Sequence, residues 1–224
     1  CLVIAVCIFQ FLLGNPSNFM NNDPNNHPLN MLGTIYKGGI IVPIIQTLLL
    51  TVLALSIERY FALRSAFGKG SLSKFVANIK DALAAGDMKK AQEICDKQRG
   101  SVANVVTSTL RKYEEMEKNT SLPKEQKLLA IQKELEEATA LEMPMMQQNL
   151  PIIATITTLG TLMGLLGTVI GMIRSFAALS AGGGADSMAL SQGISEALIN
   201  TAFGILTGAL AVISYNYYTN KIDK

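Results

Sequence analysis

Three stretches of this chain are long, apolar and free of charge: 40–57, 151–173 and 197–215. A helix that crosses a bilayer needs about 20 apolar residues, because lipid offers no water to satisfy a broken backbone. These runs restrict the chain to an all-α, multi-pass transmembrane bundle. The charges are segregated to match. Residues 58–150 hold 15 of the 19 Lys/Arg and 13 of the 17 Asp/Glu. Overall 16% of residues are charged and 49% hydrophobic, whereas a soluble domain carries about 25% charged residues. The net charge of +2 provides no broad basic surface, so no nucleic-acid partner is expected.

The apolar segment 1–13, CLVIAVCIFQFLL, is too short to span. It reads as part of an amino-terminal transmembrane helix; a signal-peptide remnant is the alternative. Residues 14–39 read as a loop, rich in Asn, broken by Pro16, Pro24 and Pro28, and without apolar periodicity. The span 40–57 follows, with Pro43 in its first turn and Arg59 and Tyr60 suited to the membrane–water interface. The charged region 58–150 reads as amphipathic helices. Ser73 caps one that stops at Gly86, Asp87 caps one that stops near Gly100, and a third runs from Ser101 to about Asn119. A long helix then starts behind Pro123. It is expected to run from charged into apolar sequence, from Lys124 to Met172, and so to carry the span 151–178. A Gly-rich loop, 179–186, precedes the last helix, 187–220, which Asp186 or Ser187 caps. Residues 221–224 form a tail.

Cationic residues stay on the inner side of a membrane. Residues 58–150 and the tail together carry 17 Lys/Arg, the 14–39 loop has only Lys37, and the 178–192 loop has none. The predicted topology therefore places 58–150 and both termini inside, and the two short loops outside.

Enzyme chemistry finds no support. Cys1, Cys7 and Cys95 make no CxxC pair, and His27 lies alone in the Asn/Pro loop. Gly182-Gly183-Gly184 is a turn without the strand that a nucleotide loop requires. No nucleophile–base constellation or metal-ligand spacing appears. Neither a cofactor nor a metal is expected.

The polar residues inside the spans are more informative. Thr157, Thr161, Gly164, Thr168 and Gly171 share one helix face, as do Ala197, Thr201, Gly204, Gly208 and Ala211. Gly160/Gly164, Gly167/Gly171 and Gly204/Gly208 are GxxxG pairs. Two readings fit: close helix packing through small residues, or a polar lining to a pore or to a groove that holds a partner helix. One chain's helices are not expected to use both glycine-rich faces, which points to an oligomer. Glu196 stands nearly three turns into the last helix, where a carboxylate costs roughly 2.5–3.5 kcal/mol at mid-bilayer. It reads either as an ion-pathway residue or as a shallower group helped by the helix dipole. Asn200 lies one turn further on its face, and Arg174 stands at a depth where it could pair with Glu196. Counted from Arg174 and Glu196, Thr168 and Thr201 are about 9 and 7.5 Å along antiparallel helices, which sets the two hydroxyls level.

The segments GLLGTVIGM (164–172) and GISEALINTAFGILTGALAV (193–212) resemble the MotA/TolQ/ExbB family. LAAGDMKKAQEICDKQRGSVANVV (83–106) is similar to its cytoplasmic helices. NLPIIATI (149–156) and SIERYFALR (56–64) resemble the ends of its core spans. The insert between the first and second core spans makes ExbB the most similar member type, with 1–13 as an additional helix. Gly160-Thr161 and Leu210 stand where the family often has Ala-Pro and Pro. The resemblance implies a homo-oligomeric ring, a pentamer, in the inner membrane. The ring would contact membrane lipids and surround an ExbD-like single-span subunit. It would use the proton gradient to drive a TonB-like protein. Thr168 and Thr201 match the family's pore-lining threonines and Glu196 its membrane glutamate; Thr161, Asn200 and Arg174 are secondary candidates on the same polar face. A TolQ-like or motility-type role, or a non-conducting scaffold, is the alternative.

Overall fold

The structure is a computed structural model and describes residues 1–24, 26–181 and 187–223. Among the described residues its regular structure is all helical, without a strand. The chain divides into two compact units, one of Cys1–Ile57 with Asn149–Lys221, the other of Glu58–Gln148 with Ile222–Lys224.

The first unit holds most of the apolar sequence. Helix α1, Leu2–Cys7, continues as a π-helix, Ile8–Leu13, and together they are shorter than a span. Asparagines order the segment that follows. Asn15 caps the turn Pro16–Asn18, and the buried Asn18 donates to the carbonyls of Leu12 and Leu13 at 2.8 and 3.0 Å. These are carbonyls that a helix end leaves open. Asn30 accepts from Gly33 N at 2.9 Å and caps a short helix, α2, Met31–Tyr36. The expectation of a plain loop over 14–39 is thus corrected. Apolar periodicity does not detect a six-residue helix held by its cap and by Tyr36 against Phe9 and Phe19.

Among the described residues, three helices are long and apolar enough to cross a membrane. They are α3, Ile41–Ala66; α8, Leu150–Ala181, over Leu150–Ala177; and α9, Ser187–Ile222, over Leu190–Ile222. Asp186, one of the two proposed caps of α9, lies outside the described residues.

In the second unit α4 spans Leu72–Ala84, α5 Met88–Gln98, α6 Ser101–Lys118 and α7 Lys124–Gln147. Asp87 caps α5, accepting from Lys90 N at 3.0 Å. Ser73 is no cap: it lies inside α4, which Ser71 precedes without a side-chain bond. Phe75, Ile79, Ala82, Ala91, Cys95, Ala103 and Leu110 bury a common core. Arg59, expected at an interface, is 2% exposed; it pairs with Glu58 and donates to the Met145 carbonyl at 3.3 Å in the last turn of α7.

The single helix expected from Lys124 to Met172 is interrupted. Gln148 is extended and Asn149 sits at φ +66, so α7 ends and α8 begins afresh. Pro151 explains the break. In a continuous helix it could not donate to the Gln147 carbonyl, and its ring would strike that oxygen. Asn is among the few residues that tolerate the left-handed conformation.

Candidate functional site

Helices α8 and α9 meet through their glycines. A Cβ placed on Gly204 would lie 2.6 Å from the Gly164 Cα, and one on Gly160 3.3 Å from the Gly208 backbone N. A Cβ on Gly171 would lie 2.9 Å from the Gly193 carbonyl. Positions rise along α8 as they fall along α9, so the pair is antiparallel. The two glycine-rich faces therefore serve each other within one chain. This overturns the argument that a single chain cannot use both. Glycine here permits a backbone approach that any side chain would prevent.

The threonines sit at the edge of that contact. Thr201 is half-buried and donates to the Gly164 carbonyl at 3.4 Å. Thr168 is also half-buried, donates to Leu165 O of its own helix at 2.6 Å, and shares a shallow apolar recess with Val169, Met172, Ile173 and Phe176. Thr161 is exposed and bonded back to Thr157 O at 3.3 Å. Glycines thus take the packing role; the Thr161 hydroxyl borders the contact, where a Cβ on Gly208 would lie 2.7 Å from it, and Thr168 remains on the outward face of α8. Thr207, fully buried against Gly160, belongs to the contact although the sequence reading passed it over.

Glu196 is the buried charge of the site, 7% exposed, and Arg174 Nη1 donates to its Oε1 at 2.7 Å. The arginine side chain is 54% exposed, so one end of the pair is enclosed and the other open. Asn200, fully buried one turn on, donates through Nδ2 to the Gly38 carbonyl at 2.9 Å. Gly39 follows at φ +72, and a Cβ there would lie 2.5 Å from Glu196 Oε1 and 3.2 Å from Arg174 Nη1. Three segments distant in sequence therefore converge: α8, α9 and the turn before α3. The sequence reading identified Arg174, Glu196 and Asn200 but missed Gly38 and Gly39. The available signal was the Gly-Gly pair directly before an apolar run. Lys37 stands next to that turn, its ammonium 5.9 Å from the Phe19 ring; burial lowers its pKa, with Asp23 opposing. Among the described residues no group of three or more His, Cys, Asp or Glu is placed to hold a metal.

The site thus sets a buried carboxylate and its guanidinium partner beside an amide and a hydroxyl of the same helix. A model of the MotA/TolQ/ExbB proton channel family matches residues 98–224, more than half of the chain. The chain belongs to this family. The match takes in both segments on which the resemblance was read, 164–172 and 193–212, together with the ion pair. ExbB-like 1 of Synechocystis sp. is 31% identical over 198 residues, covering 83% of this chain and 69% of that protein. An ExbB homolog of Methanothermobacter thermautotrophicus is 26% identical over 200 residues, 87% of this chain and 66% of its own. The Tol-Pal system protein TolQ of Pseudomonas aeruginosa is 24% identical over 192 residues, 80% of each. The chain thus spans about two thirds of the length of these two ExbB-like relatives. It is a membrane protein of a proton-channel family, with relatives of both the ExbB and the TolQ type.

Proposed function

We propose that this chain is an ExbB-like subunit of an inner-membrane motor complex driven by the proton-motive force. In this reading it forms a pentameric ring around an ExbD-like single-span subunit, and the complex energises a TonB-like protein for outer-membrane transport. Residues 58–150 and the tail lie in the cytoplasm, with the helices extending inward from the membrane. Residues 14–39 and 179–186 face the periplasm. One observation carries the reading: a carboxylate only 7% exposed, ion-paired to Arg174, inside the candidate span Leu190–Ile222. Charge at that depth is expensive and marks an ion pathway more often than a packing contact. The Thr168 recess, bordered by Val169, Met172 and Phe176, gives a partner helix an apolar seat with one hydroxyl in it.

The test pairs function with assembly. Thr168→Val with Thr201→Val, and separately Glu196→Gln, keep side-chain shape while removing hydroxyl and charge. The threonine pair is expected to abolish energy-dependent uptake and Glu196→Gln to impair it, while native mass spectrometry still detects a closed ring. Full uptake with assembly intact rejects the pathway and leaves the scaffold reading. The TolQ-like alternative is favoured by the even 80% coverage of the Pseudomonas aeruginosa protein. Complementation of strains lacking ExbB or TolQ separates the two.

A further inference from the structure

Asn200 is fully buried on the Glu196 face of α9, yet nothing in the ion pair uses it. Its Nδ2 donates to the Gly38 carbonyl at 2.9 Å, a bond between residues 162 positions apart. Its Oδ1 is buried and has no hydrogen-bond partner among the described residues. A buried acceptor without a partner costs free energy. The side chain is therefore placed for its donor.

The turn that Asn200 grips lies against Glu196. A Cβ on Gly38 would come within 3.1 Å of Asn200 Oδ1. A Cβ on Gly39 would lie 2.5 Å from Glu196 Oε1 and 3.2 Å from Arg174 Nη1. Gly39 also has φ +72, which disfavours most residues with a side chain. The turn is stitched to both sides along the chain: Gly38 N donates to Ile35 O at 2.9 Å, Gly39 N to Tyr36 O at 3.2 Å, and Val42 N to Gly39 O at 3.2 Å.

We propose that the Gly38–Gly39 turn is a lid on Glu196, latched by Asn200, and that Asn200 and Gly39 are positioning residues for the carboxylate. The lid shields the oxygen that Arg174 holds, and opening it exposes the carboxylate without breaking α8 from α9. This inference deepens the motor reading by naming what positions its membrane glutamate. Its test needs no ion current, so the two can fail separately.

The probe is dicyclohexylcarbodiimide, an apolar reagent for carboxyl groups, applied to the purified full chain in detergent, with modification of Glu196 followed by mass spectrometry. Wild-type protein is expected to label slowly. Asn200→Ala is expected to raise the rate by about fivefold, the population change that loss of one hydrogen bond brings. Gly39→Ala is expected to raise it at least as much. Gly86→Ala is the control. Gly86 has nearly the same φ, +68, but a Cβ there meets nothing within 4 Å, so the strain is matched and the clash is not. Equal labelling of wild type and Asn200→Ala overturns the latch, as does a rise in Gly86→Ala that matches Gly39→Ala. Should the variants not fold, hydrogen exchange on the wild-type chain decides. The amides of 38, 39 and 42 are expected to exchange as slowly as those inside α3, and exchange at the rate of an unbonded amide overturns the proposal.

Discussion

The two units of this protein invert each other's packing rule. In the unit Glu58–Gln148, the core is built of large apolar side chains: Phe75, Ile79 and Leu110 are at most 7% exposed, and Arg59 is the buried charge. In the unit of α3, α8 and α9, many large apolar residues point outward and polar ones are enclosed. Leu165, Ile173, Leu198 and Ile213 are 58–65% exposed, while Glu196, Asn200, Thr207 and Ser175 are buried. Water drives the first arrangement, because it penalises exposed apolar area. Lipid removes that penalty, and helices then associate through close backbone approach and internal polar bonds. One chain thus shows the same principle under two solvents, with glycine in α8 and α9 doing what phenylalanine and leucine do in α4 and α6.

The comparison breaks most readily at its tightest point. Gly204→Leu sets a side chain into the backbone of α8, since even its Cβ would sit 2.7 Å from Gly160 O. We expect loss of folded protein, seen as aggregation on gel filtration in detergent; a monodisperse, fully helical variant would refute glycine-mediated packing. In the water-type core the opposite change is the damaging one. Phe75→Ala is expected to cost about 3–5 kcal/mol, read as faster hydrogen exchange confined to α4–α6; unchanged exchange there would show that this core is not cohesive. A smaller effect involves Cys95, whose thiol pKa is pushed up mainly by burial. The folded state holds its proton more tightly than the unfolded state does. Stability is therefore full below the ordinary thiol pKa, near 8.5, and falls as pH rises from there through the higher folded value. Cys95→Ala is expected to flatten that alkaline decline in chemical denaturation; an identical decline would assign it to other groups. The smallest effect sharpens the contrast. Leu165→Ala, large to small on the outward face, is expected to change the stability of the chain in detergent by about 0.5 kcal/mol or less. A multi-kcal/mol loss would mean that this face is packed after all.

Much of the fold was legible because lipid writes its requirement as run length. The three uncharged runs became α3, α8 and α9, and Asp87 and Gly86 marked the junction of α4 and α5 as expected. The Arg174–Glu196 contact was also legible, since two charges in apolar helices have few other ways to lower their cost. Other features depended on contacts between distant positions. Periodicity identified the glycine stripes but not that each faces the other. The partner of Asn200 lies 162 residues away, before a helix whose placement no local pattern encodes. The break at Asn149 was hidden because Pro151 suits a first turn as well as it forbids an interior one.

The ion pair also bears on how such a chain enters its membrane. The hydroxyls of Thr155, Thr157, Thr161 and Thr207 are all bonded to the carbonyl four residues earlier, so each span supplies their partners itself. Arg174 and Glu196 have no such self-sufficiency: each needs the other, from the neighbouring helix. Inserted singly, α8 would bring an unmatched cation and α9 an unmatched anion, each costing roughly 2.5–3.5 kcal/mol at mid-bilayer. Inserted as a hairpin, the two arrive already neutralised. The pairing therefore favours insertion of α8 and α9 together over insertion one at a time.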